Sequence, residues 1–424
     1  MTTPEHPDDF LHDLRRRSAA EDGVFWVNDD LLAVFEPEAA QRISRTNWRG
    51  FVMPDRGLDL LRGRRSPVVP WVHVRTAWLA QLHRLADVSH RAALTDRMRQ
   101  VMDARLGERV DLVTLAQDTA IRSLLPCALS GLTPRETEWI VRDLDQKLLR
   151  LIDRSPGDGP AHRLRFAAVQ ARAGLVVRRV LRARAAGRRP RECDLADPFV
   201  DLLPQLGMDR ALNVVTTVLT AIGGPPGSAA AAVLYEWVRQ PEWARRVTAE
   251  LGGLDTAAFL EAPTKAAPLT HRFVKETLRM WSPPLLLVRQ ARQAFDVGGI
   301  TLDAGRGYLM SPHMIHRDHR VWKDADTFDP DRFLAGAPHG PAGRDSYVPF
   351  GWTPKKCVGA ALGTFQLMAL CRLMSTRYHL TVPNPARITM AFRFAPVPQD
   401  FHGVLTPRRP SGSGPRGQHS PHGT

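Results

Sequence analysis

Cysteine is scarce in this chain of 424 residues: Cys127, Cys193, Cys357 and Cys371 are its four thiols. They are too few and too scattered for a disulfide scaffold, and no two form a Cys-x-x-Cys pair, which argues against a structural zinc site. The first ten residues, MTTPEHPDDF, lack the basic and apolar regions of a signal peptide, so the expected setting is soluble and cytoplasmic. Uninterrupted apolar runs of membrane-spanning length are also missing. The longest apolar tract, about 211–238, is broken by Asn213, several threonines and a Gly-Gly-Pro-Pro-Gly stretch. It reads as a buried helix interrupted in its middle, not as a span. Acidic residues are outnumbered, 44 against 58 lysines and arginines, for a formal charge of +14. That excess suits a surface that docks an acidic protein or an anionic ligand. No aromatic residue interleaves the basic run from Arg178 to Arg191, so nucleic-acid binding is not expected and the run reads as a solvated helix face.

A hydrophobic share of 43% excludes wholesale disorder. Helical spacing dominates: residues 76–106, 134–153 and 161–186 each place apolar side chains three and four apart. Strand signals are short, at 288–292, 299–305 and 306–310. The reading is mainly α, with a small sheet placed in the C-terminal half and a tail from about Pro407 that is Pro-, Ser-, Gly- and Arg-rich.

Cys357 lies in Phe350-Gly-Trp-Thr-Pro-Lys-Lys-Cys-Val-Gly, just before a long apolar helix from Ala360 to Met374. A cysteine at a helix N-terminus, beside Lys355 and Lys356, is expected to have a stabilised thiolate. Gly359 permits close backbone approach and Phe350 is placed to shelter the sulfur. A sheltered thiolate suits an electron-donating ligand to haem iron, while a buried structural cysteine remains the alternative. Upstream, Glu276-Thr-Leu-Arg279 puts two opposite charges one turn apart on a helical segment. Phe328-Asp-Pro-Asp-Arg332-Phe follows. His313-x-x-His316-x-x-His319 has a spacing that metal sites use, though zinc is not expected there.

The ordered set Glu-x-x-Arg, Phe-x-Pro-x-Arg-Phe, then Phe-x6-Cys-x-Gly resembles the cytochrome P450 superfamily, of the bacterial soluble type. The resemblance runs from about residue 76 to 405 and is strongest over 270–375. It implies one large, triangular, mainly α domain with small β-sheets over 1–406, followed by a disordered basic tail, 407–424. It implies haem b (iron protoporphyrin IX), with Cys357 as the axial iron ligand in a loop that includes Phe350, Gly351 and Gly359. It casts Glu276, Arg279 and Arg332 as a buried brace. It puts Arg289 and Lys355 on a haem propionate, and Trp71 and Arg75 on the other, with His83 as a rival in a different register. Residues 52–75, 150–200, 283–287 and 392–397 would line the substrate pocket, with Pro283, Leu285, Leu287 and Phe394 as an apolar wall.

Two departures stand out from the family pattern. Thr353 replaces a usual glycine in the cysteine loop. In the long helix expected to cross over the haem, the family's acid and threonine are replaced. With Gly224 set on the family glycine, Pro226 falls on the acid and Gly227 on the threonine. No Asp or Glu occurs from 211 to 234. Pro225 and Pro226 also remove two N–H donors and crowd the carbonyls of Ala221 and Ile222. Ser228 and Thr220 are the nearby hydroxyls, and both read as ordinary helix hydroxyls bonded to the preceding turn.

Three functions follow from the resemblance and its departures. The first is a haem-thiolate oxidoreductase of secondary metabolism acting on a small natural-product-like substrate by a non-standard reaction. Such a reaction uses peroxide, or activates a substrate O–O or N–O bond for oxene or nitrene transfer, cyclisation or rearrangement. The second is a conventional monooxygenase served by ferredoxin and ferredoxin reductase. The third is a non-catalytic haem-binding or carrier-recruiting protein.

Overall fold

The computed structural model describes residues 7–48, 51–53, 67–152, 159–337, 340 and 346–408. The tail from 409 onward and parts of the expected pocket segments, 54–66 and 153–158, lie outside these residues. The longer helices are α1 (Pro7–Ala20), α2 (Pro37–Asn47), α3 (Trp71–Arg84), α4 (Val88–Asp103), α5 (Leu112–Ala128), α6 (Pro134–Ile152) and α7 (Pro160–Ala185). They continue with α8 (Met208–Ile222), α9 (Pro225–Arg239), α10 (Pro241–Gly252), α11 (Pro268–Met280) and α12 (Ala360–Thr376).

Periodicity over 76–106 suggests one helical stretch, but the structure divides it at 85–87. The Asp87 carboxylate accepts from the His90 N–H at 2.8 Å and the Ser89 hydroxyl at 2.8 Å, capping a new helix. These bonds hold the Asp87 carboxyl down at about 2. Gly187 takes φ +67° just past α7, where a left-handed residue can end a helix.

The sheet is not confined to the C-terminal half. An N-terminal hairpin, Val24–Asn28 with Leu31–Val34, joins it, and Leu31–Val34 runs parallel to Gly307–Met310. Leu287–Gln290 pairs antiparallel with Gly307–Met310 and completes four strands. The hairpin escapes a sequence reading because it is short and its outer strand is only partly buried.

The basic run is only in part a solvated face: Arg179, Arg182 and Arg188 are exposed, but others are engaged. Arg184 is 4% exposed and its guanidinium meets Asp194 at 2.6 Å. Arg189 pairs with Glu136 at 3.0 Å and Arg191 with Asp197 at 2.6 Å. These arginines fasten the end of α7 to the α5–α6 corner and the segment after it, so their charge is largely committed.

Helices α8 and α9 form the apolar spine of the main core. Together they are long and apolar enough to cross a membrane, yet 72% of the most apolar stretch is buried inside the protein. Within α9, Glu236 is 2% exposed and accepts from the Trp281 indole N–H at 2.7 Å. Burial pushes its carboxyl up to about 7, against an ordinary 4.5. Between those values the folded protein holds a proton that the unfolded chain has released, so stability falls as pH rises. Glu236→Gln should flatten this slope, which spans on the order of 3 kcal/mol. The check is thermal melting of parent and variant from pH 5 to 8: the parent should lose stability across this range and the variant should not.

Candidate active site

Cys357 sits in the loop between Ser346 and α12. Its backbone N–H donates to the Phe350 carbonyl at 2.8 Å, and the Gly351 N–H donates to the Val348 carbonyl at 2.9 Å. Gly351 has φ +77°, which glycine adopts without a steric penalty. Phe350 packs its ring edge near Gly363, where an added Cβ would lie 3.9 Å away. Thr353 does not break the loop: its carbonyl accepts from the Gln41 side chain at 2.9 Å, and α2 thereby clamps the turn.

The Cys357 side chain keeps accessible surface although protein surrounds it closely. Burial is the largest influence on its thiol and pushes its pKa up; a hydrogen bond from the Gly359 backbone, Lys356 and Arg75 oppose it. The helix-terminus argument therefore names real stabilising groups, but in the protein alone they lose to desolvation. Lys355 points elsewhere, with Nζ 3.2 Å from the centre of the Phe51 ring. Arg289 approaches the same ring at 5.9 Å. Phe51, which the sequence did not single out, also accepts the Trp71 backbone N–H at 3.0 Å.

Arg75, one turn along α3 from Trp71, donates to the Lys356 carbonyl at 3.0 Å and so stands at the cysteine loop. His83 does not: it is exposed in the last turn of α3, about 12 Å farther along the axis. Among the described residues the buried Trp71 indole N–H finds no hydrogen-bond partner. A buried orphan donor is costly, and a carboxylate acceptor would relieve it. An accessible thiol, four nearby cations (Arg75, Arg289, Lys355 and Lys356) and this donor fit an iron macrocycle carrying two carboxylates.

Glu276, Arg279 and Arg332 are brought together with at most 1% exposure. Glu276 accepts from Arg279 Nε at 2.8 Å, Arg332 Nε at 3.0 Å and the Asp329 N–H at 2.8 Å. Arg279 also donates to the carbonyls of His316 at 2.7 Å and Ala325 at 2.8 Å. The His316 ring extends this chain to the cysteine loop. Its Nε2 accepts the Val348 N–H at 2.8 Å, and its Nδ1 lies 2.8 Å from the Ser282 hydroxyl. Burial keeps this imidazole neutral, its pKa pushed well below the ordinary value. Of the other histidines in this spacing, His319 pairs with Asp326 at 2.9 Å and His313 is buried.

Asn47 is a second brace that carried no sequence signal. It is 1% exposed, donates to the Gln290 carbonyl at 3.1 Å and accepts the Arg292 N–H at 2.8 Å. It thus fixes the strand that carries Arg289.

Helix α8 ends at Ile222 and α9 begins at Pro225, with Gly223 and Gly224 between them. The Gly223 carbonyl accepts from the Gln117 side-chain amide on α5. Thr220 bonds back to the Thr216 carbonyl at 2.8 Å, as an ordinary helix hydroxyl does. Ser228 does not bond to its preceding turn; it donates to the Pro396 carbonyl at 2.6 Å and ties α9 to a short strand. An added Cβ on Gly227 would stand 2.8 Å from the Gln117 Cα, so position 227 has no room for a side chain.

The expected apolar wall is only partly exposed. Leu285 has 0% exposure, tied down by its N–H to the Phe394 carbonyl at 3.1 Å and by the Ser311 hydroxyl on its own carbonyl at 2.5 Å. It is a core residue, and Pro283 is buried too. Leu287 and Phe394 retain partial exposure.

Comparison with known proteins agrees with this geometry. Residues 145–399 match the family model for cytochrome P450. A sterol 14α-demethylase of Mycolicibacterium vanbaalenii is 29% identical over 227 residues, 51% of this chain and 50% of that protein. A cyclooctatin synthase of Streptomyces melanosporofaciens is 28% identical over 41% of this chain and 35% of its own. The aligned region thus spans half or less of these relatives. A zebrafish cytochrome P450 solved with progesterone superimposes with a TM-score of 0.75 at 18% identity, over 94% of this chain and 99% of that one. The haem domain of cytochrome P450DA does so at 0.73 and 16%, over 95% and 92%. The chain belongs to the cytochrome P450 family of haem-thiolate oxidoreductases, whose cofactor is haem b.

Replacing Glu276 with Ala would strand two buried guanidinium groups and should cost about 3–5 kcal/mol. Chemical denaturation should register this loss, and the variant should also retain less haem, because the path from Arg279 through His316 to Val348 starts at that carboxylate.

Proposed function

We propose that this cytochrome P450 transforms a small natural-product-like substrate by a reaction that needs no acid–hydroxyl proton relay in the distal helix. Cys357 would hold the haem iron through its thiolate, with Trp71, Arg75, Arg289 and Lys355 receiving the propionates. Bound haem supplies a redox-active iron whose thiolate ligand favours O–O cleavage. The protein's own residues supply position and shelter. Gly359 donates toward the sulfur, and Lys356 and Arg75 favour its charged form. Partly exposed Leu287 and Phe394 offer apolar surface to the substrate.

The observation that carries the reading is the commitment of both hydroxyls near the helix break. Thr220 donates to Thr216 and Ser228 to Pro396, while no carboxylate lies from 211 to 234. A reaction that brings its own activated bond fits such a helix: peroxide as oxidant, or a substrate O–O or N–O bond leading to oxygen or nitrogen transfer, cyclisation or rearrangement. A place in secondary metabolism accords with the relative named cyclooctatin synthase. A cytoplasmic setting accords with four unpaired cysteines.

The conventional monooxygenase is the second reading. Relatives named germacrene A hydroxylase, among them one of Saussurea costus, support it. So does the exposed Lys356 beside the cysteine loop, a fitting contact for an acidic ferredoxin working with its reductase. The two readings separate in one experiment on haem-loaded protein with a panel of small apolar natural products. Product formation with hydrogen peroxide, or with no reductant, is expected, and Ser228→Ala should change its rate by less than about threefold, since no transition-state hydrogen bond is lost. Turnover strictly dependent on NADPH, ferredoxin and reductase, with oxygen from labelled dioxygen in the product, would favour the monooxygenase instead.

A further inference from the structure

Gly223, in the interruption between α8 and α9, and Gly227, in the first turn of α9, are each pressed by a different helix. A Cβ on Gly223 would meet the Leu144 side chain of α6 at 3.1 Å. A Cβ on Gly227 would meet α5 at the Gln117 Cα, 2.8 Å away, and would overlap the Gln117 amide. Prolines 225 and 226 have no N–H, so the carbonyls of Ala221 and Ile222 lose the donors that a continuous helix would provide. The next carbonyl in line, Gly223, is held from outside the helix by the Gln117 side-chain N–H. Gln117 itself is 8% exposed, and its amide fills the space where a side chain at 227 would stand.

We propose that Gln117 is a positioning residue that sets the opening between α8 and α9, and through it the shape of the space over the haem. The inference rests on the assignment of α8–α9 as the distal helix, but not on which oxidant the enzyme uses. A buried carbonyl deprived of its donor must find another or move. Without Gln117, the segment Ala221–Gly224 therefore rearranges, and the distal surface changes with it.

The test uses full-length, haem-loaded protein and two probes, carbon monoxide on the ferrous form and imidazole on the ferric form. Gln117→Met keeps the side-chain volume and removes the donor; Gln117→Asn keeps the amide but shortens its reach. Either variant should shift or split the infrared band of bound carbon monoxide and change imidazole affinity about fivefold, the worth of one hydrogen bond. Thermal melting is measured alongside. A variant that melts earlier, with an unchanged carbon monoxide band and unchanged imidazole affinity, would reduce Gln117 to a packing residue and overturn the proposal. If Gln117→Met does not fold, Gln117→Asn decides. Strict dependence on NADPH and ferredoxin, with the spectral shift present, would overturn the peroxide reading and leave the role of Gln117 standing.

Discussion

The hydrogen bond from the Cys357 N–H to the Phe350 carbonyl, 2.8 Å long, fixes where the thiol stands. The rest of the site is built outward from it. A loop of this length has no helix or strand ladder to hold it, so its position must come from neighbours. One set of contacts comes from α2, through Gln41. Another comes from the buried Glu276 carboxylate, by way of Arg279, the His316 carbonyl and ring, and the Val348 N–H. Two arginines and a backbone N–H on one carboxylate make that anchor rigid, because its charge is compensated and its lone pairs are used.

The break between α8 and α9 is built on a different principle. There the helix is deliberately incomplete: two prolines remove donors, two glycines admit neighbouring helices, and the nearby hydroxyls are spent on carbonyls. A serine that donates to Pro396 and a threonine that donates to its own helix do not present a proton to a ligand. What remains at the break is a set of backbone carbonyls, one of which takes a donor from Gln117. The cysteine loop is thus held by many fixed contacts, while both hydroxyls beside the break, Thr220 and Ser228, are committed to backbone carbonyls.

Residues with a fixed spacing and a shared role were the legible part of the sequence. Glu276, Arg279, Arg332 and Cys357 lie in a motif order, and the interruption at Pro225 and Pro226 follows from the missing N–H groups alone. Long-range partners were not legible. Asn47, Phe51 and Gln117 act across 240 or more residues, or on another helix, and nothing in their local sequence marks them. His83 illustrates register: three- and four-residue spacing along α3 leaves several candidates, and only a long-range contact, such as the bond from Arg75 to the Lys356 carbonyl, tells which of them stands at the cysteine loop. Leu285 shows the limit of apolarity as a guide, since a leucine beside the site can belong to the core behind it. Within the basic run, Arg184 and Arg189 depart from a solvated face while Arg179, Arg182 and Arg188 do not, because buried and bridging arginines are indistinguishable from solvated ones until their acidic partners are located.

The absorption spectrum of the reduced protein with carbon monoxide tests the central claim most directly. Freshly purified protein should give the Soret band of a thiolate-ligated haem, and Cys357→His, if it keeps haem, should move that band to the position of histidine ligation. A parent spectrum already matching histidine ligation, or one left unchanged by the Cys357 substitution, would contradict the account.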